Sequence, residues 1–111
     1  MHKPQKSEVQ LLHAEVCQAL ADPTRIMLLY LLGDGPKNVG ELSTLLDVNQ
    51  PTGSRHLKVL RERGMVSAER LGTTVTYSLT DRRVIEALDL LRAVMTDNLL
   101  QKTALVDLLN Q

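Results

Sequence analysis

Residues 49–66 read "NQPTGSRHLKVLRERGMV". The stretch holds a proline, a glycine and five basic side chains, yet its apolar residues recur at helical spacing. Asn49 can accept from the free amides of a helix start. Pro51 falls in the first turn, where its missing N–H does no harm. At about 100° per residue, Gly53, Leu57 and Leu60 share one side, Arg55, Lys58 and Glu62 the other, with Ser54 and Arg61 on a flank. Glycine inside a helix costs about 1 kcal/mol relative to alanine. On the inward side it lets the helix approach a neighbour closely. The outward side offers Arg55, Lys58 and Ser54, joined from the first turn by Gln50 and Thr52. Such groups can reach base edges and phosphates, and helix N-terminal amides attract phosphate as well. A basic outward face alone is equally what a solvated surface helix presents. His56 falls nearer the apolar side and reads as structural, with a backbone hydrogen bond as its expected partner.

The flanking sequence supplies the context. Upstream, Asn38 and Glu41 have the spacing of a capping box, which starts a short helix ending near Leu46. "DVNQ" is the tight turn between the two helices. Downstream the apolar period changes from 3.6 to 2. Val75, Tyr77 and Leu79 alternate with Thr74, Thr76 and Ser78, and "MVSAERL" is the partner strand, joined through Gly72-Thr73. Helix, turn, helix and hairpin in this order make a winged helix-turn-helix, a known way to set one helix in a major groove. Residues 38–64 form the helix-turn-helix and 65–79 the wing, whose Arg70, Thr73 and Thr74 could meet an adjacent groove.

The outer segments are helical. Val9, Leu12, Val16 and Leu20 stripe residues 7–21. Asp22 and Pro23 then stop one helix and start the next, an apolar helix over residues 23–32. Val84, Leu88, Leu91, Met95 and Leu99 stripe the final segment, residues 82–109, in which a break near Asp97 is left open. The 111 residues therefore form a single, mainly α domain with a small β-hairpin.

Composition narrows the function. Net charge is zero, but residues 50–83 carry seven Lys/Arg against three Asp/Glu, so one region is suited to an anionic partner. One cysteine, Cys17, rules out an intrachain disulfide. No apolar run reaches membrane-spanning length and the first ten residues are polar, so a cytoplasmic protein with no membrane partner is expected. No nucleophile–base pair, phosphate-cradling glycine loop or paired catalytic carboxylates stand out, so an enzyme is not expected.

The motifs "ALADPTRIMLLYLL", "VGELSTLLDVNQPTGSRHLKVLRERGMV" and "GTTVTYSLTD" cover most of residues 19–81. In order and spacing they resemble the ArsR/SmtB family of bacterial winged-helix repressors. The resemblance implies a homodimer that pairs its first and last helices across a two-fold axis and binds double-stranded DNA at an inverted-repeat operator. The alternative from another class is a winged-helix protein-interaction module that has lost DNA binding.

Many members of that family respond to metals, and the resemblance carries over poorly there. The thiol pattern C-V-C-D-L-C of the arsenic-type site corresponds to Asn38-Val39-Gly40-Glu41-Leu42-Ser43. The zinc-type site on the last helix corresponds to Asp81, Arg83, Val94 and Asp97, with no imidazole. Neither set suits a soft or borderline metal. The dithiol sensors need two cysteines. Gly53 also departs from the family, which more often has a larger apolar residue there. No cofactor is expected. A metal or redox site built on His13 and Cys17, spaced i and i+4 on the first helix, is the remaining option. An unknown small inducer is the other.

Overall fold

The computed structural model describes residues 2–111. Contacts divide it into two units, one running to Asp81 and the other from Arg82 to Gln111.

The first unit begins with one continuous helical stretch in three parts: α1 (Lys6–Leu12), a π segment (His13–Cys17) and α2 (Gln18–Leu20). The stripe anticipated here divides along its length. Val9 and Leu12 are exposed, whereas Val16 and Leu20 are half-buried and Ala19 is buried. The π segment was not anticipated. The stretch stops at Ala21, and Asp22 is extended with φ −135°, as a residue before proline prefers. Its carboxylate accepts the amides of Thr24 at 2.8 Å and Arg25 at 3.3 Å, and α3 (Pro23–Gly33) follows. Leu28, Leu29 and Leu32 of α3 are the centre of the core, while Met27 faces solvent.

Strand β1 (Lys37–Asn38) leads into α4 (Val39–Leu46). The capping box forms in both directions: Glu41 N–H donates to Asn38 Oδ1 at 2.8 Å, and Asn38 N–H donates to Glu41 Oε1 at 3.0 Å. Asp47 closes α4 in the left-handed region with φ 54°, and the amide of Val48 reaches back to the Ser43 carbonyl. Helix α5 (Gln50–Glu62) starts at once, with Asn49 Oδ1 accepting the Thr52 amide at 2.8 Å. It ends the same way as α4. Gly64 takes φ 74° and the Met65 amide bonds the Leu60 carbonyl.

Strands β2 (Val66–Leu71) and β3 (Thr74–Leu79) pair antiparallel from Val66↔Leu79 to Leu71↔Thr74. The loop between them is Gly72-Thr73, and Gly72 has the positive φ that a two-residue hairpin turn needs. The wing is thus as anticipated but wider. Strand β1 pairs with the other edge of β3, Lys37 opposite Tyr77, giving the order β1-β3-β2. Two residues are too few to show alternation, which is why β1 was not read from sequence. With strands on both sides, every residue from Val75 to Leu79 is half-buried, including Thr76 and Ser78.

The second unit is α6 (Arg83–Leu109), a helix of 27 residues that passes Asp97 without a break. At about 1.5 Å per residue it is roughly 40 Å long. Ile85 and Leu88 are buried; Leu90, Leu91, Val94, Met95, Leu99 and Leu100 are exposed. Among the described residues, no helix is long and apolar enough to cross a membrane.

Candidate nucleic-acid interface

Helix α5 has the two faces expected of it. Gly53, His56, Leu57 and Leu60 are buried. Gln50, Ser54, Arg55, Lys58 and Arg61 are exposed, and Thr52 is half-buried. Arg70, Thr73 and Thr74 are exposed on the wing, within the same unit. Among the described residues, none makes an ion pair with Arg55, Lys58, Arg61 or Arg70. Arg63 differs: its Nη1 pairs with Glu15 Oε2 at 3.2 Å. The cations on the outward face are therefore free for an anionic partner.

The presence of Gly53 has a direct steric reason. A Cβ at this position would lie 2.5 Å from the Ser43 Oγ, closer than such atoms approach. Helices α4 and α5 come together here with nothing between the α5 backbone and the serine hydroxyl. Ser43 is 3% exposed and its hydroxyl has no hydrogen-bond partner among the described residues. The close approach also brings the Gln50 side chain over the first turn of α4, where its Nε2 lies 3.5 Å from where a Gly40 Cβ would be.

His56 is buried, and its partner is not the backbone group expected. Its Nδ1 lies 3.2 Å from the Nη1 of Arg25. The same guanidinium donates from Nε to the Ala19 carbonyl at 2.7 Å and from Nη2 to the Gln18 carbonyl at 3.0 Å. Sequence reasoning missed Arg25. It stands in the first turn of an apolar helix, and only its place in "DPTR", three residues after the cap, hinted at an inward role. Asp22 lies close by. Burial raises its carboxyl, but the amides of Arg25 and Thr24, with the Arg25 guanidinium nearby, outweigh this and hold it below the ordinary carboxylate value.

The positions that the resemblance aligns with metal ligands carry no thiol or imidazole. Asn38 and Glu41 serve the α4 cap. Among the described residues, no group of three or more His, Cys, Asp or Glu could hold an ion. His13 and Cys17 are both exposed and bracket the π segment. In a π turn the residue one turn on is i+5, and His13 Nε2 indeed lies 3.5 Å from Gln18 Nε2.

A protein-family profile described as "Bacterial regulatory protein, arsR family" matches residues 22–68. The HTH-type transcriptional regulator NmtR of Mycobacterium tuberculosis is 38% identical over 86 residues, which is 78% of this chain and 72% of that protein. The chain belongs to the arsR family. The Biofilm growth-associated repressor of Agrobacterium fabrum is 40% identical over 89 residues, covering 78% of this arsR-family chain and 76% of the relative. Among solved structures, a homodimeric winged helix-turn-helix DNA-binding domain from Mycobacterium bovis superposes with a TM-score of 0.72 at 31% identity, covering 89% of this chain and 94% of that one. The two sequence relatives are named as a transcriptional regulator and a repressor, and the winged helix-turn-helix of the Mycobacterium bovis domain is the fold described above.

Proposed function

We propose that this arsR-family chain acts in the cytoplasm as a homodimeric repressor, inserting α5 into the major groove at each half of an inverted-repeat operator. The observation that carries this is the split of α5. Its inward face is fixed by Gly53 against Ser43, and its outward face offers Arg55, Lys58 and Arg61 without protein partners. A surface helix needs no such close seating. A helix that must present base-reading groups in register does.

Gln50, Thr52, Ser54 and Arg55 lie in the first half of α5, the part that meets base edges in helix-turn-helix complexes. Lys58 and Arg61 lie further along and serve phosphates. Arg70, Thr73 and Thr74 at the wing tip meet a neighbouring groove or its phosphates. The chain takes no cofactor and performs no catalysis in this role. A small inducer is compatible with it. His13 and Cys17 would be the place to look for a metal or oxidant response.

The test is duplex binding as a function of salt, using fragments selected from genomic DNA on the purified protein. Affinity should fall steeply as salt rises, because each phosphate contact releases counterions. Arg55→Ala should lose discrimination between sequences. Lys58→Ala should weaken all duplexes alike and lower the salt slope by about one. Wild-type binding in both variants would refute the assignment of this face, whereas a protein that binds no duplex even at low salt would favour a protein-interaction module.

A further inference from the structure

We infer that Arg25 is a positioning residue for the DNA-reading helix, and that it acts through a neutral His56 in a contact that a proton on the imidazole opens. The latch presupposes the DNA-binding function proposed above.

The chemistry of the contact is one-sided. A guanidinium carries only donors. His56 Nδ1, 3.2 Å from Arg25 Nη1, must therefore offer its lone pair, which leaves the ring proton on Nε2. His56 is 9% exposed and sits on the inward face of α5. With its other two nitrogens Arg25 grips the carbonyls of Gln18 and Ala19, the last turn of the first helical stretch. One side chain thus ties the end of that stretch to the middle of α5. A second tie, Arg63 to Glu15, joins the π segment to the far end of α5. That pair is largely solvated and contributes little by itself. The part-buried Arg25 contact is the less solvated of these two ties, and it adds to the seating of Gly53 against Ser43.

The charged groups around His56 define its response. Arg25 and Asp22, both from the start of α3, face it. Asp22 already accepts two amides through Oδ1. Helix α2 has no titratable side chain. On α4, Glu41 is held by the Asn38 amide and Asp47 is exposed. On β2, Glu69 and Arg70 are exposed, as are Arg55, Lys58, Arg61 and Glu62 on α5 itself. A proton on Nδ1 would set donor against donor and cation against cation at the Arg25 contact. It would also make the ring attractive to the Asp22 carboxylate. The imidazole then exchanges a partner that ties α5 to residues 18 and 19 for one that does not, and α5 loses its fixed seat.

The experiment compares wild type with His56→Asn on the tightest duplex recovered from genomic fragments, between about pH 8 and about pH 5.5, the interval in which an imidazole can change charge. Asparagine offers Oδ1 where the ring offers Nδ1, and it cannot take a proton. His2 and His13 are present in both proteins and cancel in the ratio. Wild-type affinity should fall about tenfold relative to the variant as pH drops; parallel profiles overturn the latch. Arg25→Lys keeps the charge but cannot span three acceptors. It should lose about tenfold in affinity at about pH 8 with an unchanged salt slope, and undiminished affinity overturns the positioning role. Should His56→Asn fail to fold, the ring-nitrogen NMR spectrum of the wild-type protein decides. A proton on Nε2 alone at about pH 8 is expected, and a proton on Nδ1 there overturns the latch. That spectrum needs no DNA. A protein that binds no duplex even at low salt refutes the DNA-binding function, and the ring spectrum still judges the latch separately.

Discussion

At the scale of single residues, the contact between Gly53 and Ser43 makes the sharpest demand. The glycine is expensive in a helix, and the hydroxyl is buried without a partner. Each makes sense only with the other: the serine fills the space a Cβ would take. Gly53→Ala should therefore destabilise by about 1–3 kcal/mol through overpacking. Ser43→Ala should be neutral or slightly stabilising, since it removes an unsatisfied buried hydroxyl. The double variant should exceed wild type by about 1 kcal/mol, because the helix gains alanine and the nearest remaining Ser43 atom, its Cβ, lies at an ordinary 3.8 Å. Denaturant melts of the four proteins give the coupling, and additive effects would show the contact to be slack. Asp22 is the second residue with a defined cost. Its carboxyl is held below the ordinary value of 3.8, so its stabilisation is complete above that pH and is lost as pH falls through the lower folded value. Asp22→Ala should cost about 1 kcal/mol at neutral pH, whereas Asp22→Asn should keep the cap and flatten the stability profile only below about pH 4.

Elements show which features the sequence made legible and which it could not. Caps and periods are local, so α3, α4, α5 and the hairpin were readable from Asp22, Asn38, Asn49, Gly72 and the alternation of β3. Three features left no such local signal. Strand β1 exists because β3 offers an open edge opposite Lys37 and Asn38. The π segment adds a residue to a turn without any proline or glycine to announce it. The Arg25 contact joins residues 31 apart in the chain, and no periodicity records that. The outward face of α5 was legible because its inward face was, and the two are complementary on one wheel. A prediction belongs to this scale. The Asn49 side chain caps α5 through the Thr52 amide. Asn49→Ala should cost about 1 kcal/mol in stability and loosen the first turn, which carries Gln50 and Thr52. Asn49→Asp should retain the cap but put a negative charge where phosphate is expected. The two variants should be separated by DNA affinity more than by melting temperature, and equal affinities would remove the N-terminus of α5 from the interface.

For the whole molecule, the decisive quantity is apolar surface left in water. Leu91, Met95 and Leu99 of α6 are each more than half exposed, and Leu12 of α1 likewise. Each large apolar side chain fully buried is worth about 1.5–3 kcal/mol, so a stripe of this length left in water is a substantial unspent driving force. A chain of 111 residues has little core to spare, and association with a second copy would bury that stripe. The proposed dimer also serves binding. Two α5 helices held about one helical turn of DNA apart read two half-sites at once, whereas a monomer reads one. Leu91→Glu with Leu99→Glu would place carboxylates in the face proposed to pair and change no residue of α5 or the wing. Sedimentation should show wild type as a dimer and this variant as a folded monomer, with circular dichroism confirming the helix content. Its affinity for an inverted repeat should drop by at least about a hundredfold, toward that of wild type for a single half-site. A double variant that stays dimeric would move the two-fold axis away from this stripe of α6. A monomer that still binds the full operator as tightly as wild type would break the link between pairing of chains and recognition of DNA.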